Sequence, residues 1–272
     1  AHFSGLRTCS NVWCCPLCSW RIAYFRKIEL DTLLQWARSQ KYMVLLLTLT
    51  VPHKKTDTLS ETLALLKRAK HTFQNNRKWK SLPLVGSVTA TEITHGSNGW
   101  HPHFHQILIL EECADPVALL ETMRSSWSKT LTNLGKKPNK HAFQVQNGSY
   151  AGDYIAKFGP AEEMTLAQSK QARSGNRNPW QILSDAKSCK RPAAIWLEYA
   201  QALKGRRLLV WSPGLKSAAS IDEIKDDEID DPQPTETLRV WLQNGLWKSA
   251  QKRYASLLHA AETKNDLDRA EF

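Results

Sequence analysis

The sequence predicts an α+β fold, with helices packed on a sheet, and three observations predict it. Pro83 to Thr94 and Trp100 to Leu110 are strand-like runs separated by the turn cluster His95-Gly96-Ser97-Asn98-Gly99, so they read as a hairpin. Tyr42 to Val51 is a further run, too uniformly apolar for the rim of a sheet. Ser19 to Gln40 repeats Ile22, Phe25, Ile28 or Glu29, Leu33 and Trp36 at helical spacing, the mark of an amphipathic helix. At 272 residues the chain suits one large domain or two, and 42% hydrophobic residues exclude a disordered chain.

The remaining elements follow in order. Arg21, Arg26 and Lys27 give the first helix a basic side. Pro52 ends the strand after Val51. Leu59 to Trp79 reads as one second helix and Asp115 to Leu134 as a third, crossing between strands. Gly135 to Lys140 is a basic loop without P-loop spacing. Ala142 to Gln146 is a short strand, and Ser149 to Gly159 a short helix with a serine cap and a glycine stop. Helices are expected over Trp180 to Ala186 and Ala193 to Leu203, a strand over Arg206 to Trp211, and a last helix over Leu246 to Glu262. Asp222 to Pro234, acidic and proline-bearing, reads as a linker or partly ordered loop.

The chemistry concentrates on the hairpin. In a strand, alternate side chains share a face, so His101, His103 and His105 point one way and Phe104, Gln106 and Leu108 the other. Two imidazoles so spaced can lean onto one divalent ion. The rival reading is a histidine-bearing edge strand beside a turn. A turn centred near Asn98 would set Glu92 across from Phe104, diagonal to His103 and His105. A carboxylate ligand there favours a hard ion such as Mg²⁺ or Mn²⁺. Tyr150 and Tyr154 share one helical face, with Lys157 three residues on. A tyrosine oxygen can attack phosphorus and hold the product covalently, although such a pair is also ordinary packing.

Cys9, Cys14, Cys15 and Cys18 fall within ten residues and fit a zinc knuckle. A thioredoxin-like reading needs a preceding strand, and none is expected. Net charge is +11, and removing the −6 of Asp222 to Asp231 leaves +17 on the rest. A basic body with eleven tryptophans suits a nucleic-acid partner. No apolar run reaches membrane length and no long apolar segment opens the sequence. The expectation is therefore a cytoplasmic protein without a signal peptide or membrane partner. A start at Ala1 suits a fragment of a longer protein.

Leu47-Thr48-Leu49-Thr50-Val51-Pro52-His53, His103-Phe104-His105 and Tyr154-Ile155-Ala156-Lys157 come in the order of the three motifs of the HUH endonucleases. The wording resembles the rolling-circle replication initiators of bacterial plasmids. Cys9…Trp13-Cys14-Cys15-Pro16-Leu17-Cys18 and Lys204 to Lys216 are similar to flanking signatures of that family, so the resemblance covers roughly residues 5 to 225. It implies a central, mainly antiparallel sheet carrying the histidines, flanked by helices. It also implies three parts: a zinc-binding segment with a basic helix (1–40), the endonuclease domain (41–215), and an acidic linker with a C-terminal helix (216–272). The implied activity is metal-dependent, site-specific nicking and joining of single-stranded DNA through a 5′-phosphotyrosine. Tyr154 is the expected nucleophile, assisted by Lys157, with Tyr150 beside it. His103, His105, Glu92 and His101 are the candidate ligands of Mg²⁺ or Mn²⁺. Cys9, Cys15 and Cys18 are the zinc ligands, with Cys14 or Cys189 able to close the site. Single-stranded and origin double-stranded DNA and a separate helicase are the implied partners. A transposase or relaxase of the same superfamily, or a non-catalytic zinc-containing DNA-binding regulator, are the alternatives.

Overall fold

Local sequence explains where most elements start. In the computed structural model, which describes residues 9–112, 115–146, 164–165, 176–186 and 189–229, helix α1 (Pro16–Ser39) opens on a proline, whose missing N–H costs nothing in a first turn. Strand β1 (Met43–Thr50) follows. Helix α2 (Leu59–Gln74) begins with a capping box: Thr58 Oγ1 accepts from Glu61 N–H at 3.2 Å, and Thr58 N–H donates to Glu61 Oε2 at 2.9 Å. The single helix expected over 59–79 is two. Asn76 Oδ1 accepts from Trp79 N–H at 2.8 Å and starts the separate helix α3 (Arg77–Lys80). An asparagine with non-helical backbone stops one helix and caps the next.

Strands β2 (Leu84–Gly96) and β3 (Gly99–Leu110) form the hairpin. Helix α4 (Pro116–Asn133) is capped by Asp115, whose Oδ1 accepts from Ala118 N–H at 3.0 Å. Strand β4 (Phe143–Gln146), helices α5 (Pro179–Ala186) and α6 (Lys190–Leu203), strand β5 (Leu209–Trp211) and helix α7 (Leu215–Ala218) complete the described chain. The short α7 has no counterpart in the sequence reading. The tyrosine segment at 149–159 and the helix expected over 246–262 lie outside the described residues.

The sheet order is β4-β1-β3-β2-β5, with every neighbour antiparallel. β3, the histidine strand, is therefore the middle strand. Val44, Leu46, Val88, Ala90, Ile107 and Ile109 from one face share a core with Ile22, Leu30 and Leu33 of α1, Tyr199 and Leu203 of α6, and Leu215 of α7. Leu45, Leu47, Leu49, Phe104, Leu108 and Leu110 from the other pack with Leu66 and Phe73 of α2 and Met123 and Trp127 of α4. Burying both faces accounts for the unbroken apolar run of β1.

The hairpin register differs by one residue from the sequence expectation. Gly96 pairs with Gly99 across Ser97-Asn98, so Glu92 faces His103, and Thr91 faces Phe104. Directly opposed residues share a face, and a one-residue slip flips every side chain to the other. The observed register is the one that puts Glu92 on the histidine face. Gly99 secures it: its φ is +85°, and a Cβ there would lie 3.0 Å from the Lys55 carbonyl oxygen. Only glycine accepts both conditions.

The described residues lie within a compact unit, Thr8–Asp231. No described helix is long and apolar enough to cross a membrane.

Candidate metal centres

Strand parity builds the first centre. His101, His103 and His105 stand in a row, with ring centroids 5.9 Å and 6.4 Å apart. Along the same face of β3 the row passes directly into the core residues Ile107 and Ile109. His53, just past β1, extends the row, with its ring edge-on to His101 at 4.1 Å. From the flanking strands Glu92 and Thr50 oppose His103, and Thr48 opposes His105.

Two contacts orient His105. Its Nε2 lies 2.6 Å from Glu92 Oε2, and its Nδ1 lies 3.1 Å from Thr48 Oγ1. His105 and Thr48 are buried, and Glu92 is half-buried. Burial depresses His103 to about 4, outweighing the pull of the Glu92 carboxylate, so at neutral pH its ring is uncharged and free to ligate. Burial also lowers His101 and His53. Nδ1 of His103 and Nδ1 of His53 are buried without a hydrogen-bond partner. Neutral imidazoles beside a carboxylate are a donor set for Mg²⁺, Mn²⁺ or a borderline transition ion, and the unpartnered Nδ1 of His103 fits such an ion. The ring and carboxylate atoms are not gathered as tightly as a closed metal cage: His105 and Glu92 bond each other.

The cysteines form the second centre. Among the described residues, Cys9, Cys15 and Cys18 are the group whose ligand atoms all lie within 4.8 Å of one another. Cys9 Sγ and Cys18 Sγ are 3.6 Å apart, and the thiols are free. Tetrahedral zinc with bonds near 2.3 Å sets its sulfurs about 3.8 Å apart, so the spacing fits zinc. The loop builds this locally. Asn11 Oδ1 accepts from the N–H groups of Trp13 and Cys14, both at 3.0 Å, which turns the chain so that Cys15 and Cys18 share the first turn of α1. An amide hydrogen bond at Asn11 lowers the Cys9 thiol, whereas burial raises Cys18. Cys14 stands outside the trio, with its thiol pushed up by burial. Adjacent side chains in this turn diverge, so Cys14 and Cys15 do not converge on one ion. Cys189 is exposed at the N-cap of α6.

The basic side expected for α1 is not its exposed side. Arg21 and Arg26 are buried, while Leu17, Trp20, Tyr24 and Ile28 are exposed. Arg26 pairs with Glu29 at 2.6 Å and with Asp226 at 2.6 Å, and donates to the Ile224 carbonyl at 2.8 Å. Glu29 also receives Lys216 at 2.8 Å. Of these partners Glu29 is three residues on, whereas Asp226, Ile224 and Lys216 lie about two hundred residues away in sequence, out of reach of a local reading. Of the stretch read as a linker or partly ordered loop, the described residues 222–229 are loop and turn that pack on α1, with Ile229 buried. Ser212 N–H donates to the Ser87 carbonyl at 2.8 Å, and Ser87 N–H donates to Ser212 Oγ at 2.9 Å, docking the second flanking signature on β2. Trp13 Nε1 donates to the Arg206 carbonyl at 2.7 Å, so the two flanking signatures meet.

Tyr150, Tyr154 and Lys157 lie outside the described residues. The residue that the sequence reading passed over is Thr48. Its only signal was its position, since alternate residues of a neighbouring strand must face the histidines.

The sequence pattern of one family, described as "Replication protein", matches residues 3–255. A protein named "Protein rep" from Streptomyces lividans is 25% identical over 307 aligned positions, covering 84% of this chain and 66% of that protein. A "Protein rep" from Lentilactobacillus hilgardii is 31% identical across 42% of this chain and 37% of its own length. A "Neomycin resistance protein" from Streptomyces cyanogenus is 27% identical across 39% of this chain and 31% of its own length. The chain thus spans just under two thirds of the first relative and about a third of the other two. No solved structure matches.

Proposed function

This chain belongs to the replication-protein family, and from that premise we propose that it is an HUH-type nicking and joining enzyme that starts rolling-circle replication of a plasmid. The observation that carries the reading is the convergence of His103, His105 and Glu92 on one face of the central strand pair, with His105 and Glu92 in direct contact at 2.6 Å. Those three residues would hold Mg²⁺ or Mn²⁺, with His101 at the outer end of the row, and such an ion would supply Lewis-acid stabilisation of charge on the scissile phosphate.

The protein's own steps follow. Tyr154 Oη attacks phosphorus, the bond to the 3′ oxygen breaks, and that oxygen leaves as a 3′-OH after taking a proton. The 5′ phosphate stays on the tyrosine. Lys157 neutralises the phosphate as it arrives. Tyr150 is followed at the same offset by Asp153, a carboxylate that repels phosphate, so Tyr154 is the single essential nucleophile. The described histidines sit on rigid strands, which suits orientation of a mobile single-stranded substrate. The cysteine trio holds a structural Zn²⁺ and closes the N-terminal loop on the body; 41–215 is the catalytic part. Single-stranded and origin double-stranded DNA are the substrates. A helicase partner, as the resemblance implies, unwinds the duplex.

The test is a labelled single-stranded origin oligonucleotide incubated with the protein and Mn²⁺, then run on a denaturing gel. A covalent protein–DNA band is expected. It is lost in EDTA, in His103→Ala, in His105→Ala and in Tyr154→Phe, and retained in Tyr150→Phe. Mass spectrometry should find the adduct on Tyr154. DNA binding without any adduct, whatever the metal, would favour a non-catalytic regulator.

A further inference from the structure

We propose that the Thr48 hydroxyl is a positioning residue for the metal ligand His105, and that it works by accepting either tautomer of the ring. The inference rests on the reading of His105 as a ligand, and it extends that reading to a residue on the neighbouring strand.

The geometry is specific. Thr48 and His105 are directly paired across β1 and β3, both are buried, and Oγ1 lies 3.1 Å from Nδ1. On the other side of the ring, Nε2 lies 2.6 Å from Glu92 Oε2. Each ring nitrogen thus has one protein partner, and the two partners differ in kind. A carboxylate only accepts, whereas a hydroxyl donates one hydrogen and accepts on its lone pairs.

That difference dictates two arrangements. Without an ion, the hydrogen on Nε2 donates to Glu92, because two acceptors at 2.6 Å would repel. Nδ1 then carries the lone pair, and the Thr48 hydroxyl donates to it. When Nε2 ligates an ion, it must present its lone pair, so the single ring hydrogen resides on Nδ1. The Thr48 hydroxyl rotates by one lone-pair position and accepts that hydrogen. Between these two arrangements one hydrogen leaves Nε2 and one joins Nδ1 through solvent. No buried nitrogen is left unpaired in either state. A valine in place of Thr48 keeps the shape but strands Nδ1 in both, and it strands a full N–H donor in the ion-bound form. An unpaired buried N–H is costly, so valine penalises the ion-bound tautomer most. A ring partner of this kind also fixes orientation and commonly changes metal affinity tenfold or more when removed. Thr48 thereby orients His105 across the strand pair.

The test uses the full chain with Thr48→Val, Thr48→Ser and His105→Ala. Mg²⁺ affinity is measured by calorimetry, and histidine tautomers are read by ¹⁵N NMR with and without Mg²⁺. The wild type should show His105 as the Nε2–H form alone and the Nδ1–H form with Mg²⁺. Thr48→Val should weaken Mg²⁺ binding about tenfold and lower the melting temperature with DNA binding unchanged, and Thr48→Ser should restore both affinity and melting temperature. Wild-type affinity in Thr48→Val alongside lost affinity in His105→Ala overturns the role of Thr48 and leaves the metal reading standing. Wild-type affinity in His105→Ala overturns both. A His105 tautomer that ignores Mg²⁺ overturns the rotating-hydroxyl account even if affinity falls.

Discussion

At the scale of single residues, the face opposite the histidines carries its own anomaly. Lys70 of α2 is largely buried, with its ammonium 5.8 Å from the centre of the Phe104 ring, and burial holds its pKa down to about 8, against 10.5 for a free lysine. The sign of the linkage follows. Below pH 8 both folded and unfolded chains carry the proton, and the folded state bears the full cost of a poorly hydrated charge. Between 8 and 10.5 the unfolded chain keeps a proton that the folded chain has shed, so stability rises with pH. Above 10.5 the cost is gone. The full shift corresponds to about 3 kcal/mol, offset by about 1 kcal/mol of cation–π attraction. Lys70→Met should therefore stabilise the protein at pH 7 by on the order of 1–2 kcal/mol. In denaturant melts, that advantage should shrink steadily from pH 7.5 to 10. A difference independent of pH would assign the gain to packing instead.

At the scale of elements, the cysteine loop and the first turn of α1 form one unit. The protein should carry one zinc per chain in elemental analysis. Cys15→Ser together with Cys18→Ser should release it and lower the melting temperature, because a structural site holds folding energy. Cys14→Ser should retain the metal, since its sulfur stands outside the trio. Loss of zinc in Cys14→Ser equal to that in Cys15→Ser would restore Cys14 as a ligand. Elements were also where the sequence was most readable. The apolar run at 43–50, the hairpin strands and the apolar stripe of α1 each carry their signal within a few residues. What escaped was pairing and partnership. The register of Glu92 depends on which two residues turn the hairpin, and Gly96 to Gly99 offered several centres. The break before α3 depends on one asparagine side chain turning back on its own backbone. The inward turn of Arg26 depends on Glu29 beside it and Asp226 at the far end of the described chain. The histidine face was readable because parity is local; its supporting Thr48 was not, because it comes from another strand.

At the scale of the whole molecule, the proposed association with DNA depends on charge. The +17 that remains outside Asp222 to Asp231 releases counterions when it meets phosphates. For about five phosphates contacted on a single strand, affinity should fall on the order of 100-fold between 50 and 200 mM salt. Fluorescence anisotropy of a labelled oligonucleotide at several salt concentrations checks this, and a flat line would make the charge incidental. Part of the acidic segment is already engaged, since Asp226 pairs with Arg26 and Glu223 lies 3.6 Å from Lys216. Its removal should unseat α1 rather than simply raise affinity for DNA.

The bond from Trp13 to the Arg206 carbonyl spans 193 residues, and the Glu29–Lys216 pair spans 187. A ribosome adding roughly 5–20 residues per second takes about 10–40 s to cover that interval. For that time the nascent cysteine loop and α1 are outside the exit tunnel without the chain that seats them, and Glu29 waits without its lysine. Capture of zinc by Cys9, Cys15 and Cys18 can precede docking, whereas closure of the core above the sheet cannot. A segment made about two hundred residues before its partners is thus among the last to settle.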